Sequence, residues 1–216
     1  EAHTYRGLDV ANEGMPTVPY VHVRDSINPA APYFESSLRD GIVAMLVIPG
    51  NRTMVGGQGM VVKPHGVTVE AMTVKDRAGM KVSLAPSGRT SRMSHMQKLR
   101  RYFTAFEDER AARRDARQAE VETATAKGEK PEAEKPWDKK KKPLLDLVEG
   151  RVKAFIYCPH ASDVFKAIEL SKSFGLDSVL VLGPDGYKAA EVIAEAKLPV
   201  VLDPRLVHRE RDPETS

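Results

Sequence analysis

The last third of the chain shows the most regular hydrophobic pattern. Mainly apolar runs at 152–157, 178–182 and 199–202 predict three strands. The segments 162–173 and 186–196 carry apolar residues at helical spacing and predict the two helices between those strands. A β-α-β-α-β order produces parallel strands with helices packed outside them. This region therefore predicts a parallel α/β fold.

The first half predicts further strands separated by loops. Seven apolar residues at 42–48, closed by Pro49 and Gly50, are typical of a strand covered on both faces, as in a parallel sheet. A short helix is expected at 33–40, ending at Gly41. The glycine-rich stretch 50–59 predicts a loop in which the backbone turns tightly, and apolar stretches follow at 60–62 and 80–84.

Two architectures satisfy this pattern, an open doubly wound sheet and a parallel (β/α) barrel of the TIM type. Five or six strands are predicted, whereas a full barrel usually needs about 250 residues. If the fold is a barrel, the 216 residues hold an incomplete one. We treat 1–216 as one domain.

A charged insertion is predicted at about 107–142. It has 21 charged residues in 36, of which 11 are basic and 10 acidic. Its first part, to about Thr125, has the composition of a helix with charges on every face. Its later part, which contains the four lysines 139–142, is expected to be a mobile, solvated linker. The alternative for these lysines is binding of phosphate or anionic lipid.

Composition excludes several classes of protein. The net charge of +3 is small for this size, and the nearly balanced charges of the insertion do not favour nucleic acid. The single cysteine, Cys158, excludes an internal disulfide and any cysteine-cluster metal site. No segment has the length of a membrane span or the pattern of a signal peptide. A water-soluble protein without nucleic-acid or membrane partners is expected, and a homo-oligomer is compatible with the sequence.

Several motifs resemble the amidohydrolase superfamily of metal-dependent hydrolases. The run EAHTYRG at 1–7 is similar to the Asp-Ala-His-x-His-x-Gly pattern that ends the first barrel strand of that superfamily. The runs GIVAMLVIPGN at 41–51 and GGQGMVVK at 56–63 resemble its imidazolonepropionase-like branch, as do GMKVSL at 79–84 and FIYCPHASD at 155–163. This resemblance implies a (β/α) barrel and hydrolysis of C–N bonds in cyclic amides.

The resemblance also implies a site for zinc or another divalent metal, and most of its ligand positions are altered here. His3 matches the first histidine of the HxH pair, and Tyr5 stands in place of the second. Tyr157 and Leu182 stand where relatives carry the histidines of two later strands. Leucine cannot coordinate a cation, and a phenol with a pKa near 10 is a poor ligand at neutral pH. No cofactor is therefore expected unless the chain is active.

Other residues have a functional and a structural interpretation. His3 is either a remaining metal ligand or a hydrogen-bonded residue of the barrel mouth. His160 and Asp163 could form a polar site, or Ser162 and Asp163 cap the following helix. Cys158 is either a nucleophile or inert packing. His22 and His65 are expected at the surface, and His95 in a helix. The resemblance gives four candidate pocket residues for a small-molecule ligand: Gly57, Gln58, Lys81 and His160.

Three functional hypotheses remain at this point. The first is an imidazolonepropionase-like hydrolase with a rearranged metal site. The second is a non-catalytic barrel retained for binding or assembly, since the ligand positions have changed while the apolar strands and glycines persist. The third, an unrelated nucleotide-binding α/β domain, is disfavoured because the glycines lack P-loop and dinucleotide spacing.

Overall fold

The computed structural model describes residues 3–202, and these form one mixed sheet with helices around it. The strands are β1 (Met45–Val47), β2 (Val55–Val62), β3 (Thr73–Ser83), β4 (Lys153–Cys158), β5 (Ser178–Leu182) and β6 (Val200–Val201). The α-helices are α1 (Pro32–Arg39), α2 (Val69–Met72), α3 (Arg92–Ala126), α4 (Lys142–Val148), α5 (Ala161–Phe174) and α6 (Ala190–Ala196). Two short 3-10 helices span Val23–Asp25 and Gly186–Ala189.

The strands follow their chain order across a curled sheet, which is consistent with part of a barrel. β3, β4, β5 and β6 are parallel, as predicted. β1 and β2, and β2 and β3, are antiparallel, which corrects the expectation of a parallel sheet throughout. The antiparallel half arises because only α2, a single helical turn, separates β2 from β3, and a parallel crossover needs a longer connection.

Two predictions in the first half of the chain were wrong. The strand predicted at 42–48 is confined to β1, and Val43 is 73% exposed. The glycine-rich stretch 56–59 lies inside β2 and is not a loop. A Cβ atom on Gly57 would lie 2.6 Å from the Val21 carbonyl oxygen, and one on Gly59 would lie 2.8 Å from that of Val47. These glycines permit close backbone approach and do not form a tight turn.

The second half agrees closely with the predicted elements. β5 has the predicted bounds, and β4 and α5 differ from theirs by one residue at each end. α5 ends at Gly175, whose φ of 62° is the left-handed conformation that glycine adopts readily at a helix end. The helix predicted at 186–196 is divided into a 3-10 turn and α6. These elements agree because their hydrophobic periodicity is local and uninterrupted.

The two faces of the sheet bury different residues. Side chains of β3, β4 and β5 alternate between a core against the helices and the inner, concave side of the sheet. The helix-side core includes Met80, Val82, Ile156, Cys158, Leu180 and Leu182. The inner face buries Leu46, Ile48, Phe155, Val179 and Val181. This alternation decides which candidate side chains can meet inside the sheet.

The charged insertion contains both a helix and a packed connection. α3 extends to Ala126, and residues 127–141 connect it to α4. In that connection Trp137 packs against Phe106 of α3, with ring centroids 5.3 Å apart. The Arg113 guanidinium lies 4.3 Å from the Trp137 ring centroid. Within residues 3–202 no helix has the length and apolar character needed to cross a membrane.

Candidate functional site

The candidate site lies on the inner face, near the carboxyl ends of the parallel strands. The N-terminal segment reaches it because the backbone of Thr4 pairs with β1 and with Ile48, the residue after β1. The Thr4 N–H donates to the Leu46 carbonyl, and the Thr4 carbonyl accepts from the Ile48 N–H. Thr4 is buried, and its hydroxyl lies 3.1 Å from that of Tyr33. Since successive side chains of an extended segment alternate, His3 is placed on the opposite side.

His3 meets Lys81 of β3 inside the sheet. The Lys81 Nζ lies 2.6 Å from the His3 Nε2. A protonated amine can only donate, so when Lys81 is charged Nε2 accepts and the ring proton of neutral His3 is on Nδ1. Burial, followed by the nearby Lys81 charge, lowers the pKa of His3 to about 3. His3 is therefore neutral, and its Nε2 is occupied by the contact with Lys81.

Lys81 is the central residue of this cluster. Its side chain is fully buried, and no carboxylate of residues 3–202 lies within ion-pair distance of it. Burial lowers the pKa of Lys81 to about 7. The Nζ also lies 5.5 Å from the ring centroid of Tyr157, within the range of a cation–π contact. The structure thus brings together His3, Lys81 and Tyr157.

Two further positions do not face this cluster. Leu182, at the end of β5, packs in the helix-side core, where a Cβ on Gly186 would contact it at 2.7 Å. Cys158, at the end of β4, lies in the same core, and its thiol donates to the Ile156 carbonyl at 3.7 Å. Burial, followed by the Asp163 charge, raises the pKa of Cys158 to about 12. The packing interpretation of Cys158 is favoured over a nucleophile.

His160 and Asp163 do not form one polar site, because each contacts a different partner. The His160 Nδ1 lies 3.7 Å from an Asp185 carboxylate oxygen beyond β5. Asp163 is buried and pairs with Arg92 at the start of α3, and the Lys166 Nζ lies 3.3 Å away. The capping prediction was wrong, because the N-cap of α5 is His160, with no side-chain cap hydrogen bond. Asp163 instead links α5 to α3.

The remaining candidate pocket residues are bound to the N-terminal segment. Gln58 is buried, its side-chain Nε2 donates to the Pro19 carbonyl at 3.3 Å, and its backbone N–H donates to Val21. Gly57 is in contact with Val21. Their role is to hold residues 18–22 against β2.

Three other histidines have structural positions. His65 is exposed, as expected. His22 is not a free surface residue, because its Nδ1 accepts from the Arg24 N–H at 3.0 Å. Its Nε2 lies 3.0 Å from an oxygen of Asp76. His95 lies in α3 as expected and is buried, with its Nε2 2.8 Å from the Ser83 carbonyl oxygen.

The residues present do not fit a divalent metal. Residues 3–202 contain no group of three or more His, Cys, Asp or Glu side chains placed to hold one. A catalytic zinc site normally uses three protein ligands. At the mouth, the Nε2 of His3 is bonded to Lys81. Two unit charges 4 Å apart repel by about 4 kcal/mol at an effective dielectric constant of 20, so a protonated Lys81 opposes a divalent ion there.

Sequence reasoning did not identify the contacts of two residues. Lys81 was a candidate only through the family resemblance, although a lone lysine within the apolar run GMKVSL is itself a signal of an unusual buried charge. Asp185 was not identified at all. Its position three residues after a buried strand, in the stretch LGPDG, is the signal that could have suggested it.

Comparison with known proteins gives one informative similarity. No family profile and no curated protein sequence matches this chain. The structure is similar to that of an amidohydrolase from Thermotoga maritima MSB8, with a TM-score of 0.79 and 28% sequence identity. The similarity covers 98% of this chain but only 57% of the Thermotoga chain. It supports a hydrolase-type fold for this chain and, at the broadest level, a relationship to the amidohydrolase superfamily.

Proposed function

We propose that this chain is part of a non-catalytic amidohydrolase-type barrel that serves as a binding or assembly module. The observation that carries this proposal is the contact between Lys81 and His3. A buried lysine fills the position at which a metal would meet the Nε2 of that histidine, and Tyr157 packs beside it. The lysine contributes a cationic or neutral amine where metal-dependent hydrolysis needs an open metal position for water.

The proposal accounts for the pattern of retained and altered residues. The inner apolar side chains are buried, and the close-packing glycines of β2 are in place. The three altered positions Tyr5, Tyr157 and Leu182 supply no imidazole or carboxylate. Selection for folding preserves core positions, whereas loss of hydrolysis releases only the positions that hold the ion.

Metal analysis of the full-length protein tests this proposal. After growth with added zinc and removal of loosely bound ions, we expect less than about a tenth of an equivalent of bound metal, because a ligand-poor site binds weakly. The Lys81→Met variant is the matched sample, since it removes the amine while preserving side-chain volume. A stoichiometric metal content in the unaltered protein would contradict the proposal.

A second function is favoured by the similarity to a solved amidohydrolase. It is imidazolonepropionase-like hydrolysis of a C–N bond in a cyclic amide, with zinc or another divalent metal. Such a site would draw on His3, on His160 beside Asp185, and on residues outside this segment. Zinc-dependent turnover of a cyclic amide that is abolished by His3→Ala and unaffected by His65→Ala would establish this function over the first.

A further inference from the structure

A cleft of about 690 Å³ opens at the end of the sheet opposite the candidate site. Arg77 lines this cleft. It lies two residues before Gly79, and Gly79 pairs with Lys153, the first residue of β4. Arg151, just before β4, lines it as well. The cleft therefore lies at the amino ends of β3 and β4. Catalytic sites of barrels lie at the carboxyl ends, so this cleft is separate from the His3–Lys81 cluster.

Several cations from separate segments converge on this cleft. Arg77 comes from β3, and Lys135 and Lys139 come from the connection between α3 and α4. Within residues 3–202 none of these three makes an ion pair. They are therefore available to an anion from outside the chain.

The other charges around the cleft largely cancel one another. Lys142 and Arg151 both bind an Asp146 oxygen, at 2.9 and 2.7 Å. Arg151 also pairs with Glu149. Glu134 is the remaining acid of the lining and offsets one of the three available cations. The cleft keeps an excess of positive charge.

The wall of the cleft is apolar and held in place. It is formed by Pro136, Trp137, Pro143 and Leu145. Trp137 is half-buried, and its ring is fixed by the Arg113 guanidinium and the Phe106 ring described above. A rigid aromatic surface bordered by cations is suited to a ligand with an apolar body and a charged group.

Backbone conformation at Arg77 is a second, independent observation. The β2–β3 ladder shifts register between the pairs Val61–Lys75 and Gly59–Gly79, which leaves Arg77 in a bulge. Its φ of 49° is a left-handed conformation that glycine adopts more easily than arginine. Residues in such conformations concentrate at ligand-binding positions, where the side chain has a use that offsets the strain.

The lysine run does not form a broad basic surface. Lys140 lies over the Tyr20 ring, 5.4 Å from its centroid, and Lys141 pairs with Glu109 at 2.6 Å. Lys142 is bound to Asp146. Among the contacts of residues 3–202, Lys139 is the one lysine of the four that lines the cleft without an ion pair. This arrangement favours a small ligand over an anionic lipid surface.

We propose that this cleft binds a small aromatic anion with a phosphate-type head group. The aromatic body packs against the wall that contains Trp137, and the head group is bound by Arg77, Lys135 and Lys139. Charge-assisted hydrogen bonds from arginine and lysine to phosphate are stronger than neutral ones and supply the orientation. This proposal is independent of whether the barrel hydrolyses anything.

Fluorescence of Trp137, the only tryptophan of the sequence, reports on this cleft directly. Phenyl phosphate, phenol and inorganic phosphate are titrated in parallel, with calorimetry as a second readout. We expect saturable binding of phenyl phosphate, at least about tenfold tighter than either fragment, because body and head group contribute together. Binding that weakens with added salt is also expected. No change with phenyl phosphate, or equal binding of phenol, would overturn the proposal.

Variants in the same segment distinguish the cleft from general electrostatic attraction. Arg77→Gly and the pair Lys135→Gln with Lys139→Gln are each expected to weaken phenyl phosphate binding about tenfold, the cost of losing a charged contact. Lys140→Gln removes the same charge outside the cleft and is expected to leave binding unchanged. If Lys140→Gln weakens binding as much as the others, attraction is non-specific and the cleft is not a site. A cooperative unfolding transition, with a midpoint no lower than that of the unaltered protein, confirms that each variant is folded.

Discussion

The two cation-bearing regions of this molecule differ in what surrounds the charge. At the mouth, Lys81 is fully buried and its amine is bonded to an imidazole of the same chain. At the opposite end, Arg77, Lys135 and Lys139 are exposed and line a cleft beside Trp137. Within residues 3–202 the first cation has a partner in the chain, whereas the other three make no ion pair.

This difference distinguishes a buried cation that interacts within the chain from exposed cations that can bind a ligand. A buried amine is disfavoured in its charged form, so its protonation depends on its environment and it excludes another cation. Exposed cations keep their charge but contribute little by themselves, and they become useful only where geometry gathers several around one apolar surface. On the two proposals made above, the surroundings of Lys81 oppose a metal ion, and the cleft beside Trp137 favours an anion.

The largest expected effect concerns the buried amine. Lys81→Met keeps the volume and removes the charge, so we expect it to raise the free energy of unfolding by a few kcal/mol at pH 6. The folded pKa of about 7 lies below the unfolded value near 10.4, so the destabilisation by Lys81 is complete below pH 7. It decreases between pH 7 and about 10.4, by up to about 1.4 kcal/mol per pH unit.

Urea unfolding of both proteins at pH 6 and pH 9 measures this effect. Lys98→Met, at an exposed position of α3, is the control and should show no such pH dependence. A Lys81→Met variant that is less stable than the unaltered protein at both pH values would show that the amine contributes favourably and would break the comparison.

Restoring the chemistry of the mouth should restore metal affinity. In Tyr5→His with Lys81→Met, the Nε2 of His3 is released and an HxH pair is rebuilt. We expect zinc to stabilise this double variant, by about 2.7 kcal/mol when its concentration is a hundred times the dissociation constant. Thermal unfolding with and without zinc measures the shift. Each single variant serves as a control. An equal zinc-induced shift in the unaltered protein would contradict the interpretation that Lys81 prevents metal binding at His3.

The reactivity of the Cys158 thiol tests whether this side chain at the end of β4 is buried against the helices. Because burial raises its pKa to about 12, little thiolate exists at pH 8. We expect alkylation by iodoacetamide to be slower by more than about a hundredfold in the folded protein than in urea. Mass spectrometry of timed samples measures the rates. Rapid labelling of the folded chain would indicate that the thiol is open to solvent and would revive the nucleophile hypothesis.

The smallest expected effect concerns the strained residue of the cleft. Arg77→Gly relieves the left-handed conformation and should stabilise the fold by about 1 kcal/mol, while it weakens anion binding. Chemical unfolding measures the first change, and Trp137 fluorescence the second. Arg151→Gln, at an exposed position of the same cleft, has no such strain to relieve. Loss of stability in Arg77→Gly would show that the arginine is retained for folding and not for a ligand.

Prediction from sequence succeeded where structure is decided locally. The bounds of β5 and the order of β4, α5 and β5 follow from apolar runs and helical spacing that neighbouring residues enforce. It failed at β1 and β2, where strand direction depends on which segments pair. Glycines at 56–59 indicate a turn when read locally, yet Val21 and Val47 approach them closely from distant parts of the chain.

The candidate site shows the same division. The motif resemblance selected His3, Tyr157 and Lys81 in advance, and the structure brings these three together. It could not reveal that Leu182 and Cys158 lie on the other side of the sheet, because a one-residue change of register reverses every side chain of a strand. It also could not reveal that Asp163 binds Arg92, since 71 residues separate them.

The sequence by itself determined the parallel α/β half and the presence of one lysine within the apolar run 79–84. Tertiary structure alone decided that this lysine meets His3, and that Arg77, Lys135 and Lys139 share a cleft with Trp137. The physical reason is that periodicity records whether a side chain is buried. The identity of its partner depends on strand pairing and curvature across distant segments.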